Sequence, residues 1–109
     1  MTYKQALAAL SDPTRRAVFE RVIKAPRSVG EIARGLPISR PAVSQHLKVL
    51  RDAGLVQERR DGTRRIYSAD ARALGELRAY VDDMWHAALG KFAASAGKAD
   101  GKGSDDRKR

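Results

Sequence analysis

Six residues on one side of the segment from residue 39 to 53 have the chemistry to bind a nucleic acid. At about 100° per residue, the rotation of an α-helix, four of them lie opposite the apolar residues Val43, Leu47 and Leu50, and two, Arg40 and His46, lie at the margins of that face. Five of the six can donate hydrogen bonds to base edges or phosphates, and no carboxylate precedes Asp52. A merely solvated face usually carries Glu/Lys pairs, so the pattern favours a binding face. The six residues are Arg40, Pro41, Ser44, Gln45, His46 and Lys48.

A second group of cations surrounds Asp61-Gly62, a dipeptide that favours a two-residue β-hairpin turn between extended runs at residues 55–60 and 63–68. Four guanidinium groups around one tight turn repel each other, and only Glu58 and Asp61 offset them locally. We therefore interpret the hairpin as a contact for phosphates or for the minor groove rather than a solvated turn. The candidate contacts are Arg59, Arg60, Thr63, Arg64 and Arg65.

Local signals predict the helices that position these groups. Ser39 is a good N-cap and Gly54 a good C-terminal residue for a helix over residues 39–53. Upstream, Ser28 and Glu31 have the spacing of a capping box for a short helix over residues 29–34. A short helix, a turn with Gly and Pro, and a longer helix form a helix-turn-helix, and the basic hairpin makes it a winged helix.

Two further helices are predicted before this motif, over residues 2–10 and 13–24. Asp12 is a plausible N-cap for the second, and Pro13 suits its first turn. The predicted core stripe of the second helix is Val18, Val22 and Ile23, with Phe19 beside it. Its arginines, Arg15, Arg16 and Arg21, are interpreted as solvated or helix-packing rather than ligand-binding.

A long last helix is predicted over residues 71–96, and its apolar seam has too few partners within the chain. Large side chains on the seam would be left partly exposed, which usually marks an interface. We therefore predict a symmetric homodimer through the first and last helices, with simple packing within the chain as the alternative. The predicted interface residues are Leu7, Leu10, Leu77, Val81, Met84, Trp85, Ala88 and Phe92.

Length and charge fit one small DNA-binding domain. The chain has 109 residues, predicted as a domain over residues 1–96 and a disordered charged tail over residues 97–109. Its formal charge is +9, from 22 Lys and Arg against 13 Asp and Glu. The excess is local, because residues 39–65 hold seven cations and three carboxylates whereas residues 70–96 hold three and four. A local basic surface favours double-stranded DNA as the partner and argues against a membrane.

The chain contains no cysteine, which excludes disulfides, thiolate metal sites and cysteine nucleophiles. No apolar run approaches about 20 residues, so a cytoplasmic protein is expected. The fold class predicted is mainly α, a winged helix-turn-helix in the order α-α-α-α-β-β-α with a two-stranded hairpin as the wing.

Three motifs resemble the ArsR/SmtB family of bacterial repressors. They are the segments at residues 9–16, 39–56 and 59–67, and the resemblance covers about residues 5–92. It implies a homodimeric winged-helix regulator that binds an operator of imperfect two-fold symmetry. It also implies that the helix over residues 39–53 enters the major groove, with Ser44, Gln45 and His46 near bases, and that the terminal helices form the dimer.

The sequence departs from the metal-sensing members of that family. One familiar site needs a Cys-x-Cys cluster near Val29, where this chain has no thiol. Another uses Asp and His pairs on the last helix, where Asp83 and His86 supply only half of a pair. Two or three weak ligands hold zinc poorly, so no metal and no cofactor are expected. A small-molecule effector near the dimer contact, a partner protein or the protein's own concentration remain open as the controlling signal.

Two other classes of function fit the sequence less well. A winged helix can serve as a protein-interaction module that does not read DNA sequence, in which case binding would survive raised salt. An enzyme is disfavoured, because two histidines forty residues apart and no Gly-rich phosphate loop offer no constellation of nucleophile, base and orienting group.

Overall fold

The computed structural model describes residues 3–95, with side chains described as far as residue 91. Its elements are α1 (Tyr3–Leu10), α2 (Pro13–Lys24), β1 (Arg27–Ser28), α3 (Val29–Arg34), α4 (Arg40–Asp52), β2 (Val56–Asp61), β3 (Arg64–Ala69) and α5 (Ala71–Ser95). The chain divides into two compact units, Met1–Leu77 and Arg78–Arg109. The predicted tail at residues 97–109 lies outside the described residues.

The predicted helix starts are confirmed by side-chain caps. The Asp12 carboxylate accepts a hydrogen bond from the backbone N–H of Arg15 at 3.0 Å, and Pro13 occupies the first turn of α2. Ser28 and Glu31 form the full capping box of α3, with the Ser28 hydroxyl accepting at 3.2 Å and the Glu31 carboxylate at 2.8 Å. The Ser39 hydroxyl accepts from the N–H of Ala42 at 3.2 Å and begins α4.

Gly54 ends α4 as predicted, in the left-handed conformation at φ 81°. The N–H of Gly54 donates to the carbonyl of Arg51 at 2.9 Å, and the N–H of Leu55 donates to that of Leu50 at 2.9 Å. These two hydrogen bonds form a Schellman motif, and Leu50 and Leu55 are both fully buried beneath it. The motif fixes where α4 stops and where the chain turns into β2.

The sheet has three strands rather than the two that were predicted. Its order is β1-β3-β2, all antiparallel, and β1 adds the pairs Arg27 with Tyr67 and Ser28 with Ile66. A two-residue strand has no periodicity from which to predict it, because only its partner 40 residues away makes it a strand. Its effect is to cover one edge of β3 and to tie the start of α3 to the hairpin.

The hairpin turn lies one residue later than predicted. Asp61 pairs with Arg64, so the two turn residues are Gly62 and Thr63 rather than Asp61 and Gly62. Gly62 has φ 67°, which places glycine at the first turn position, where a two-residue hairpin needs a positive φ. As a consequence Arg60 lies directly opposite Arg65.

The first unit encloses a hydrophobic core to which all five helices and the sheet contribute. Ile23 was predicted in this core but is 47% exposed, because it lies about 90° around α2 from the centre of the buried face. The buried residues of this core include Ala6, Ala9, Val18, Phe19, Val22, Ile32, Val43, Leu47, Leu50, Leu55, Val56 and Tyr67.

No described helix is long and apolar enough to cross a bilayer.

The arginines of α2 form hydrogen bonds to neighbouring helices, which is the second of the two predicted roles, solvated or helix-packing. The Arg15 guanidinium donates to the carbonyl of Ala9 at 2.5 Å, and that of Arg16 to the carbonyl of Leu10 at 2.6 Å. Both bonds satisfy carbonyl groups at the end of α1 that have no partner within that helix. Arg21 crosses from α2 to α3, where it donates to the carbonyl of Glu31 at 3.0 Å.

The carboxylate caps make the fold sensitive to acid. A backbone hydrogen bond from Arg15 holds the pKa of Asp12 below its ordinary value, and one from Ser28 does the same for the pKa of Glu31. A pKa that is lower in the folded state contributes stability above its unfolded value and loses that contribution as the pH falls through the folded value. We therefore expect the melting temperature, followed by circular dichroism, to fall as the pH drops below about 4.

Asp12→Asn separates charge from capping, because asparagine is also a good N-cap and has no titrating group. The variant should lose less melting temperature than the wild type between neutral and acid pH. An equal loss in both proteins would show that the Asp12 charge plays no part.

Candidate nucleic-acid interface

The predicted binding face of α4 is exposed because the opposite face is locked into the core. Val43, Leu47 and Leu50 have no exposed surface, so the helix cannot rotate without losing their burial. Five of the six predicted contacts are exposed, and one, His46, is half-buried. The exposed five are Arg40, Pro41, Ser44, Gln45 and Lys48.

His46 is half-buried and interacts electrostatically with Asp12 at the start of α2. The pKa of Asp12 is lowered first by the backbone hydrogen bond from Arg15, and the charge of His46 is among the further causes. Ser44 and Gln45 have no partner among the side-chain hydrogen bonds and ion pairs of the described residues. Lys48 is paired with Asp52 at 3.3 Å, but both side chains are more than 60% exposed.

One groove brings the start of α4 and the wing together. It has a volume of about 520 Å³ and lies between α3, α4 and the β2–β3 hairpin. Arg40 and Ser44 line it from α4, and Thr63, Arg64 and Arg65 line it from the wing. Two groups of candidates separated by some twenty residues in sequence therefore form one surface.

The third wall of this groove was not predicted. It is formed by α3, which contributes Gly30, Glu31 and Arg34. With Arg34 the groove has four guanidinium groups, those of Arg34, Arg40, Arg64 and Arg65, against the single carboxylate of Glu31, and we call it the arginine groove. The sequence gives Arg34 no binding signal of its own, because a basic residue in the last turn of a helix is also favoured by the helix dipole.

The wing arginines divide into two kinds. Arg64 lies 3.9 Å from the Glu31 carboxylate and Arg65 lies 3.2 Å from that of Glu58, and both arginines are more than half exposed. Exposed ion pairs of this kind contribute little stability, so a phosphate can replace the carboxylate at low cost. Within the described chain, Arg59 and Arg60 have no carboxylate within ion-pair distance.

The second unit exposes large apolar side chains on its part of α5. Val81, Met84 and Trp85 are 51%, 47% and 60% exposed, and Leu89 is 37% exposed. Ala88, also predicted at the interface, is exposed as well. These residues lie on one side of the helix, since they are spaced by three and four positions.

The other predicted interface residues differ in their surroundings. In the first unit, Leu7 is 41% exposed, whereas Leu10 and Leu77 are partly buried against the core of their own chain. The side chain of Phe92 lies outside the described side chains. No group of three His, Cys, Asp or Glu side chains that could hold a metal ion occurs among the residues described.

Comparison with known proteins assigns the chain to a family. A family model described as a helix-turn-helix domain matches residues 10–59. The HTH-type transcriptional regulator Rv2034 of Mycobacterium tuberculosis is 54% identical over 89 residues, which cover 82% of this chain and 83% of that protein. The transcriptional repressor SdpR of Bacillus subtilis is 35% identical over 66 residues, which cover 61% of this chain and 73% of that protein.

A solved structure supports the same assignment. An ArsR-like transcriptional regulator from Rhodococcus sp. RHA1 superposes with a TM-score of 0.72 at 29% sequence identity, over 86% of this chain and 92% of that one. The sequence similarity, the fold and the exposed basic face of the helix-turn-helix all support the same family. The chain therefore belongs to the ArsR/SmtB family of winged helix-turn-helix transcriptional regulators.

Proposed function

We propose that this regulator is a sequence-specific repressor that binds a pseudo-palindromic operator in double-stranded DNA as a homodimer. The observation that carries the proposal is the arginine groove, in which the first turn of α4 and the wing form one cationic surface. In a DNA duplex the phosphates border the grooves in which base edges are exposed. A helix that enters the major groove therefore brings the neighbouring cations of the protein next to the phosphate backbone of the DNA. The name of SdpR, a transcriptional repressor, supports repression rather than activation.

The two parts of the surface have different tasks in this proposal. Ser44, Gln45 and Lys48 are exposed on α4 and can form hydrogen bonds with base edges, which supplies sequence preference. The wing arginines and Arg40 contact phosphates, which supplies most of the affinity and makes it dependent on salt. A typical specific complex needs both contributions.

The exposed apolar side of α5 supports the homodimer. Val81, Met84 and Trp85 would each leave about half or more of their surface in water in a single chain. Burying such side chains against a second copy removes this apolar area from water at about 25 cal/mol per Å². A two-fold dimer would present two α4 helices about 34 Å apart, one turn of DNA.

Selection of bound duplexes from a random pool, at near-physiological salt, tests this proposal. The expected result is an enriched sequence with two inverted half-sites about 10 base pairs apart, centre to centre. Recovery of a single half-site would contradict the dimer. Recovery of unenriched DNA would contradict sequence reading and would favour a protein-interaction module.

We also propose that the signal that releases DNA is not a metal ion, because the chain offers no cysteine ligand and its described residues contain no group of three His, Asp or Glu side chains that could hold a metal ion. An allosteric metal changes operator affinity by about 5- to 150-fold. We expect no measurable change when zinc is added to the protein and its selected operator in an anisotropy titration. A change within that range would show a metal site and overturn this part of the proposal.

A further inference from the structure

Gly30 occupies a helical position that does not require glycine for its backbone. It is the second residue of α3, and its φ lies outside the left-handed region. Glycine weakens a helix relative to alanine, since more backbone entropy is lost on folding. The backbone conformation therefore does not explain the glycine at position 30, and the side chain packed against it does.

The Arg40 guanidinium fills the space that a side chain at Gly30 would need. A Cβ atom built on Gly30 would lie 2.8 Å from Arg40 Nη2 and 3.2 Å from its Cζ. Real Cβ atoms essentially never approach another heavy atom to less than 3.0 Å. The glycine thus lets the guanidinium lie against α3, on the wall of the arginine groove.

The side chains that line the arginine groove carry an excess of positive charge. Four guanidinium groups line it and repel each other at short range. Its one carboxylate, Glu31, is already engaged, because one oxygen accepts from the backbone N–H of Ser28 at 2.8 Å and the other lies 3.9 Å from Arg64. Arg40 therefore has no carboxylate within ion-pair distance among the described residues.

We propose that Gly30 is a positioning residue for DNA binding, which holds the Arg40 guanidinium in the arginine groove so that it binds a backbone phosphate of the duplex. This inference rests on the proposed function. Arginine matches a phosphate with two parallel hydrogen bonds, so its affinity depends on where the guanidinium plane lies and not only on its charge. Ser44 of α4 lines the same groove, so an anion bound there lies beside the helix that reads bases.

Gly30→Ala tests the proposal because it moves Arg40 without removing its charge. The clashing atoms are the far end of a flexible, exposed side chain, so the fold should tolerate alanine and the melting temperature should not fall. Affinity for duplex DNA should fall about tenfold for each subunit bound, as expected for one lost charge-assisted contact in each subunit.

Gly75→Ala is the matched control. Gly75 is an exposed helical glycine in α5, and nothing lies within 4 Å of its built Cβ. The control makes the same chemical change and should leave DNA affinity unchanged. A fall in affinity equal to that of Gly30→Ala would show a general effect of helix glycines and overturn the proposal.

A double-mutant cycle with Arg40→Ala assigns the effect to the contact. Once the guanidinium is absent, Gly30→Ala should cause no further loss of affinity. If Gly30→Ala reduces affinity equally in the wild type and in Arg40→Ala, or reduces it in neither, the proposed role of Gly30 is wrong. The proposed function would still stand in that case, provided that the wild-type protein binds duplex DNA. Failure of the wild type itself to bind duplex DNA would overturn both.

Inorganic phosphate distinguishes the two sources of the anion. It is titrated into the free wild-type protein and into Gly30→Ala, with binding followed by calorimetry. If the wild type binds free phosphate and the variant does not, while DNA affinity is the same in both, the groove belongs to a small oxyanion and the assignment to DNA is wrong. Loss of DNA affinity in the variant supports the assignment.

Discussion

Replacing Trp85 by glutamate should convert the protein into a monomer and weaken operator binding by about 10²- to 10⁴-fold. The indole is 60% exposed in a single chain, so a polar replacement should not disturb the fold of that chain. In a dimer it would place a carboxylate, and its symmetry mate, inside an apolar contact at a high desolvation cost. Each monomer would then bind one half-site alone, without the gain in affinity that comes from linking two DNA-binding sites in a dimer.

Ala79→Glu is the control for this variant. Ala79 is exposed on α5 and lies about 180° around the helix from the apolar side that includes Val81, Met84 and Trp85. The Ala79→Glu substitution adds the same charge to the same helix, and the variant should remain a dimer in light scattering. A Trp85→Glu protein that stays dimeric with full operator affinity would show that the dimer forms elsewhere.

Gln45→Ala and Arg64→Ala should affect DNA binding in different ways. Removing the Gln45 amide should cost about 1–3 kcal/mol on the preferred operator and relax preference at one base pair, while random DNA is bound as before. Removing Arg64 should weaken binding to all sequences alike and reduce the salt slope by about one unit for each subunit bound. Anisotropy titrations against both duplexes at several salt concentrations measure both effects.

Arg72→Ala is a matched control for Arg64→Ala. Arg72 is also an exposed arginine, at the start of α5, and it does not line the arginine groove. Its removal deletes the same charge and should leave the salt slope almost unchanged. If Gln45→Ala and Arg64→Ala lose affinity equally on the operator and on random DNA, the division into a base-reading helix and a phosphate-binding wing is incorrect.

Signals that act within a few residues predicted most of the fold. The caps at Asp12, Ser28 and Ser39 and the stop at Gly54 each depend on hydrogen bonds between near neighbours in sequence, and all four are found as predicted. The buried face of α4 was equally predictable, because apolar residues spaced by three and four positions reveal that face within the sequence of a single helix.

Features that depend on distant pairing were missed. Strand β1 exists only because Arg27 and Ser28 meet β3 far along the chain, and the turn at Gly62 moved by one residue because cross-strand pairing sets the register. The third wall of the arginine groove was missed for the same reason. Neither Gly30 nor Arg34 has a binding signature of its own until α3, α4 and the wing are brought together.

Sequence and structure thus contribute different parts of the candidate site. The residue types on α4 indicate hydrogen bonding to bases, and the wing indicates phosphate contact. Only the fold shows that both line one groove and that Arg40 rests on Gly30. The exposed apolar side of α5 was predicted from its spacing, and the partner that covers it is part of the proposal.

The most direct test compares the affinity of the full-length wild-type protein for its selected operator with that for a scrambled duplex of equal length, at about 0.15 M salt. We expect a preference of about 10³-fold or more for the operator, with both affinities falling steeply as salt is raised. Equal affinity for the two duplexes would contradict the claim that polar side chains on α4 read a DNA sequence.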